Sequence, residues 1–195
     1  MTTLLIVAGE TSGDIHGANL ARALRERDPA LRLIGAGGSR MREAGVELVE
    51  ETTRYAAVGV ADAFRQMHRY TKLYRLLGSA LQREKPDGCV LIDYPDFNLR
   101  FAARAKDHGV PVFYYISPQV WAWRPGRIKT IQRLVRKMIV IFDFEEELYR
   151  KAGVEVAYVG HPLLDQIPGT RDRKLRDDLK VGNAPLIGLL PGSRH

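Results

Sequence analysis

The densest chemical functionality lies in Leu91-Ile92-Asp93-Tyr94-Pro95-Asp96-Phe97-Asn98, where two carboxylates stand three residues apart directly after an apolar run. Such a pair could hold a general base, a cation or a hydroxylated ligand, and Pro95 stiffens the loop between them. Asp96 also reads as the N-cap of a helix running to about residue 108. Asp93 has no comparable structural role. Ionised and within hydrogen-bond reach, it could take a proton from an attacking hydroxyl.

A second candidate is Gly9-Glu10-Thr11-Ser12-Gly13-Asp14, which also follows an apolar run. It has neither the dinucleotide glycine spacing nor a Gly-Lys-Ser/Thr phosphate loop. Glu10 and Asp14 make the turn acidic, which suits hydroxyl groups, as on a sugar, better than a bare phosphate. Gly9 and Gly13 would let a ligand approach the backbone. Structurally, Ser12 could cap the following helix and Asp14 could complement its dipole.

Three further segments carry polar or aromatic groups after apolar runs. Ser117-Pro118-Gln119-Val120-Trp121-Ala122-Trp123-Arg124 holds both tryptophans, whose indoles can stack on sugar faces or acyl chains or simply pack. Gly160-His161-Pro162 offers a histidine for phosphate binding, proton transfer or a local hydrogen bond. Pro191-Gly192-Ser193-Arg194 ends in an arginine suited to a bidentate grip on phosphate. No His, Cys or Asp constellation makes a convincing metal site, and Cys89, the single cysteine, has no partner for an internal disulfide.

The elements that must position these groups are legible as a pattern. Strands are expected over 4–8, 31–35, 88–92, 112–116, 137–141, 156–159 and 186–190, with helices over 13–27 and between most of the others. Continuously apolar strands alternating with helices predict a doubly wound α/β fold with a parallel sheet covered on both faces. Ligands of such sheets sit beyond the carboxyl ends of the strands, where every segment above falls. Residues 169–183 are polar and charged and read as a surface helix and linker. We therefore expect a first domain over 1–183, and over 184–195 the first strand of a second domain, cut short. The alternative is a final strand of the first sheet.

The 195 residues are 45% hydrophobic and 27% charged, which excludes disorder, and no apolar run is long enough to span a membrane. The N-terminus lacks a signal-peptide pattern, which favours the cytoplasm. A net charge of +7 favours anionic partners. Phe64, Met67, Tyr70, Tyr74, Leu77 and Leu81 recur at helical spacing amid Arg65, Arg69, Lys72, Arg75 and Arg83. That stretch reads either as a basic amphipathic helix on an anionic membrane, with Phe64 and Met67 in contact, or as a core-facing helix with a wet basic back. Nucleic acid rests on charge alone, with no recognition motif, and is not expected.

Taken in order, six segments resemble the lipid-A-disaccharide synthases, a family of bacterial glycosyltransferases. They are Ala8 to Asp14, Gly37-Gly38-Ser39-Arg40-Met41, Ile92 to Asn98, Tyr115 to Arg124, Val159-Gly160-His161-Pro162 and Leu189 to Arg194, and together they run essentially the full chain. The resemblance implies the N-terminal half of a GT-B type enzyme with two Rossmann-like domains. The implied reaction joins UDP-2,3-diacylglucosamine to 2,3-diacylglucosamine 1-phosphate (lipid X), without metal or cofactor, giving the β-1,6 disaccharide and UDP. It places the catalytic carboxylate at Asp93 and the donor-phosphate contacts at Ser193 and Arg194. The expected acceptor-side residues are Gly9, Glu10, Ser12, Asp96, Asn98, Ser117 and Trp123.

The expected location is the inner face of the inner membrane, peripherally bound, with a homodimer allowed. Family members extend about as far again, so this chain alone is expected to bind acceptor or lipid surface and to be inactive or nearly so. A non-catalytic module for a phosphorylated ligand or nucleotide is the competing class.

Overall fold

The structure, a computed structural model, describes residues 1–52, 62–120, 126–167, 174–182, 185 and 187–189. It divides into two compact units, Met1–Pro162 and Leu163–His195, so the boundary expected at residue 183 falls inside the second.

The first unit is a seven-stranded parallel sheet. Its strands are β1 (Thr3–Ala8), β2 (Arg32–Gly37), β3 (Glu47–Glu51), β4 (Gly88–Ile92), β5 (Val112–Tyr115), β6 (Lys137–Val140) and β7 (Val156–Tyr158). They are ordered β3-β2-β1-β4-β5-β6-β7, every pair parallel. The chain winds outward in one direction from β1 and in the other from β4. The topological switch therefore lies between these two, where a ligand crevice is expected.

Among the described residues, six helices cover the faces: α1 (Thr11–Arg27), α2 (Ser39–Glu43), α3 (Asp62–Glu84), α4 (Pro95–Asp107), α5 (Arg127–Leu134) and α6 (Asp143–Lys151). Alternation along β1 shows the layering. Leu5 and Val7 join one apolar cluster with Leu77, Phe101 and Tyr114. Ile6 and Ala8 join the opposite one with Ala18, Leu33 and Met41. All four β1 side chains are fully buried, which is why the strand reads as an unbroken apolar run.

β3 escapes the sequence pattern. Its residues Glu47-Leu48-Val49-Glu50-Glu51 form an acidic edge strand, protected from further pairing by its charges. On α3, the periodic apolar stripe divides along its length: Leu73, Leu77 and Leu81 are buried, Tyr70 and Tyr74 pack partly buried against the core, and Met67 is 66% exposed. Its C-terminal part is thus the core-facing helix, and only the N-terminal part could meet a surface.

Among the described residues of the second unit, a 3-10 turn spans Leu164–Gln166 and a short helix, α7, spans Lys174–Asp178. Of the strand expected over 186–190, the described residues Ile187, Gly188 and Leu189 form no strand, and Ile187 and Leu189 are each 90% exposed. A strand needs a neighbour to satisfy its backbone, and no partner pairs with these residues among those described. Leu186 and Leu190 lie outside the described residues.

Candidate active site

The site is built where β1, β4 and β5 end. β4 stops at Ile92, and the next two residues, Asp93 and Tyr94, both take left-handed backbone conformations, with φ of 46° and 47°. Ile116, one residue beyond β5, is also left-handed at φ 64°. For residues bearing a Cβ this costs about 1–3 kcal/mol each and persists only where the surroundings impose it. Three such residues at adjacent strand ends mark the place where the fold gives up local stability for geometry.

What imposes it is visible around Asp93. Its N–H donates to the Tyr115 carbonyl at 3.1 Å, carrying the β4–β5 ladder one residue past the strand. Its carbonyl accepts from the Tyr114 hydroxyl at 2.6 Å and from the Asn98 amide at 2.7 Å. The same amide nitrogen donates to the Ile92 carbonyl at 3.1 Å. Asp93 itself is half-buried at the rim. Burial, with the nearby Asp93 next in weight, pushes the Tyr114 phenol well above its usual range and keeps it a hydrogen-bond donor.

Tyr94 occupies the N-cap of α4, and Pro95 takes the first helical position, which suits a residue without an N–H. Asp96 therefore lies inside the first turn of α4 and is not its N-cap, as the sequence had suggested. Its carboxylate pairs with Arg127, the first residue of α5. The Tyr94 ring stacks on Phe97, 5.6 Å between centroids, and covers Gly9. A Cβ on Gly9 would meet the Tyr94 ring at 2.2 Å. The absent side chain at position 9 thus makes room for the protein's own tyrosine, where the sequence reading had left the space to a ligand. Gly13 likewise faces Ala8 and Ile92.

Glu10 is the N-cap of α1 and is exposed, and Ser12 sits exposed within the helix, so Ser12 does not cap it. Burial, followed by the charges of Tyr70, Glu10 and Asp96, raises the Tyr94 phenol above its usual range.

Other expected residues make contacts within the protein. Asn98 is fully buried, its amide holding the two carbonyls at the end of β4. Ser117 is buried and donates to the Glu145 carboxylate on α6 at 2.5 Å. Asp14 is buried on α1 and accepts from the N–H groups of Gly38 at 2.7 Å, Met41 at 3.0 Å and Arg40 at 3.2 Å. It caps α2 across the sheet end, so its role lies beyond its own helix dipole. Trp123, Ser193 and Arg194 lie outside the described residues, and so does the Phe64 side chain.

Two histidines make edge-on ring contacts near the strand ends. His16 on α1 meets the Tyr115 ring edge-on at 6.3 Å, and His161 after β7 meets Phe142 at 5.7 Å. Burial, and then repulsion from His161, hold the His16 imidazole below its ordinary pKa. Among the described residues no cluster of three or more His, Cys, Asp or Glu could hold a metal ion, and no helix is long and apolar enough to cross a membrane.

A family model described as lipid-A-disaccharide synthetase matches residues 4–195. The lipid-A-disaccharide synthase of Syntrophus aciditrophicus is 50% identical over 193 residues, covering 98% of this chain and 50% of that protein. The enzyme of the same name from Geobacter sulfurreducens is 48% identical over 194 residues, again 98% and 50%. The chain thus spans about half the length of the curated relatives it matches.

Among solved structures, Staphylococcus aureus MnaA with UDP superposes at a TM-score of 0.59 and 10% identity, covering 93% of this chain and 51% of that one. Acinetobacter baumannii MurG gives 0.53 at 11% identity, with 83% and 46% covered. At such identities the likeness is one of fold.

Proposed function

The chain belongs to the lipid-A-disaccharide synthetase family, and from that premise we propose that it forms the acceptor-side half of an inverting, UDP-sugar-dependent hexosyltransferase. The whole enzyme would transfer 2,3-diacylglucosamine from UDP-2,3-diacylglucosamine to the 6-hydroxyl of 2,3-diacylglucosamine 1-phosphate. The products are the β-1,6 disaccharide 1-phosphate of lipid A biosynthesis and UDP.

One observation carries this reading: a half-buried carboxylate, Asp93, held in a left-handed backbone at the end of a central strand beside the topological switch. In the proposed step Asp93 accepts the proton of the acceptor's 6-hydroxyl. The oxygen attacks the donor's anomeric carbon on the face opposite UDP, the bond from that carbon to the diphosphate breaks, and its electron pair leaves with UDP. Proton transfer to a positioned base contributes about 10²–10⁴ in rate.

Glu10, Ser12 and Asp96 supply exposed groups that could hydrogen-bond acceptor hydroxyls, and Trp123 supplies a face for stacking. Asn98 and Ser117 act from beneath, by holding the loops. Ser193 and Arg194 would grip the donor diphosphate at the opening of the nucleotide-sugar domain, proposed over 184–195. UDP in the S. aureus MnaA structure is consistent with a donor of this class. The basic first turns of α3, with Met67 exposed and Phe64 one turn before it, are proposed to rest on the anionic cytoplasmic face of the inner membrane.

The test is direct. Full-length protein given both diacylated sugars should yield the disaccharide 1-phosphate and UDP in equal amounts by mass spectrometry. The 195-residue chain alone should retain acceptor and yield neither product. Release of UDP without a disaccharide, or no reaction by the full-length protein, would refute the assignment.

A further inference from the structure

We propose that Tyr114 and Asn98 are positioning residues that aim the Asp93 carboxylate by clamping its peptide carbonyl from two sides; this rests on Asp93 being the base. A carbonyl oxygen has two lone pairs, and here both are taken, by the Tyr114 hydroxyl at 2.6 Å and the Asn98 amide at 2.7 Å. The donors come from different elements, β5 and α4. Both donor side chains are fully buried, so each is held by packing and reaches the half-buried Asp93 from the core side.

The consequence lies in the backbone. A residue with a Cβ leaves the left-handed region unless something holds it there, and Asp93 and Tyr94 are there in succession. Fixing the Asp93 carbonyl fixes the peptide plane that follows it. The Asp93 N–H, donating to the Tyr115 carbonyl at 3.1 Å, fixes the plane before it. With both planes set, the Cα–Cβ bond leaves the strand end at one angle, and only the two side-chain torsions remain to place the carboxylate. The second Asn98 contact, to the Ile92 carbonyl at 3.1 Å, ties that angle to the last residue of β4. Neither clamp residue needs to touch substrate.

The experiment uses the full-length protein. Tyr114→Phe keeps the ring in the core and removes one donor, and Asn98→Ala removes the other. Each should lower kcat about 10- to 100-fold, the effect of misplacing a reacting group by a fraction of an ångström to an ångström. The KM for the acceptor should stay within about twofold, since the clamp acts on the reacting group and not on binding. In an Asp93→Asn background, adding Tyr114→Phe should leave the residual rate unchanged, because the two act through one carboxylate.

Amide exchange supplies a readout without turnover: the Asp93 N–H should exchange faster in Tyr114→Phe at similar Tm. The proposal is overturned if Tyr114→Phe keeps the parent kcat. It is equally overturned if the variant lowers the Asp93→Asn residual rate by the factor seen in the parent, or if kcat per folded molecule is unchanged while Tm falls. Parent-like turnover by Asp93→Asn alone would instead remove the base assignment itself.

Discussion

The Tyr94 ring lies directly over the backbone of Gly9, so that a Cβ at position 9 would stand 2.2 Å from the ring. This contact joins the loop after β1 to the loop after β4 across the topological switch. Because the ring atoms met include the carbon attached to the Tyr94 Cβ, a swing of the ring tip does not relieve the clash. Gly9→Ala should cost about 1–3 kcal/mol, the range for overpacking, read as a lower urea midpoint at unchanged m. A midpoint equal to the parent's would show that the two loops are not locked together.

Asp14 supplies a long-range cap. Its carboxylate takes three backbone N–H groups at the start of α2, at 2.7, 3.0 and 3.2 Å. Asp14→Ala leaves the buried N–H groups of Gly38 and Met41 without this acceptor and should destabilise by about 2–3 kcal/mol. Asp14→Asn retains one acceptor oxygen and should fall between the two. Equal stability of all three proteins in chemical denaturation would contradict the capping role.

The fold was legible because its strands are buried on both faces: β1, β4 and β5 announce themselves as apolar runs, and the residues after them are where Asp93 and Ser117 stand. β3 was not, since an edge strand of three glutamates in five residues carries no apolar signal. Asp93 could be singled out because a carboxylate after an apolar run has no packing explanation. Tyr114 could not. Its hydroxyl reaches Asp93 only through the β4–β5 register, in which Leu91 lies beside Tyr114, and a tyrosine within an apolar strand otherwise reads as packing. Glu145 was hidden in the same way, since within Glu145-Glu146-Glu147 nothing marks the one that folding buries against Ser117.

His16 sets a pH dependence. Its imidazole is held below the ordinary value of about 6.5, first by burial and then by His161. The unfolded chain therefore binds the proton more readily than the folded one, and stability rises with pH across that window. The contribution is fully present above about pH 6.5 and is lost as pH falls toward the lowered folded value. His16→Gln should flatten the slope between about pH 5.5 and 7 in urea unfolding. An unaltered slope would assign it to other groups.

The two ends of α3 should respond differently to substitution. Leu77 is fully buried, and Leu77→Ala should cost about 2–5 kcal/mol. Met67 is 66% exposed, and replacing Phe64 and Met67 by Ser should leave the thermal midpoint nearly unchanged while reducing sedimentation with vesicles containing anionic lipid. Unfolding of the double variant would assign that end to the core, and unchanged sedimentation would remove it from the membrane surface.

The most direct measurement is the turnover of Asp93→Asn in the full-length protein, with acceptor affinity measured on the same preparation. The amide keeps the shape and cannot take a proton, so kcat should fall by about 10²–10⁴ while acceptor Kd stays within about twofold. Turnover at the parent rate would contradict the account, because the strained strand end would then hold a carboxylate that the chemistry does not use.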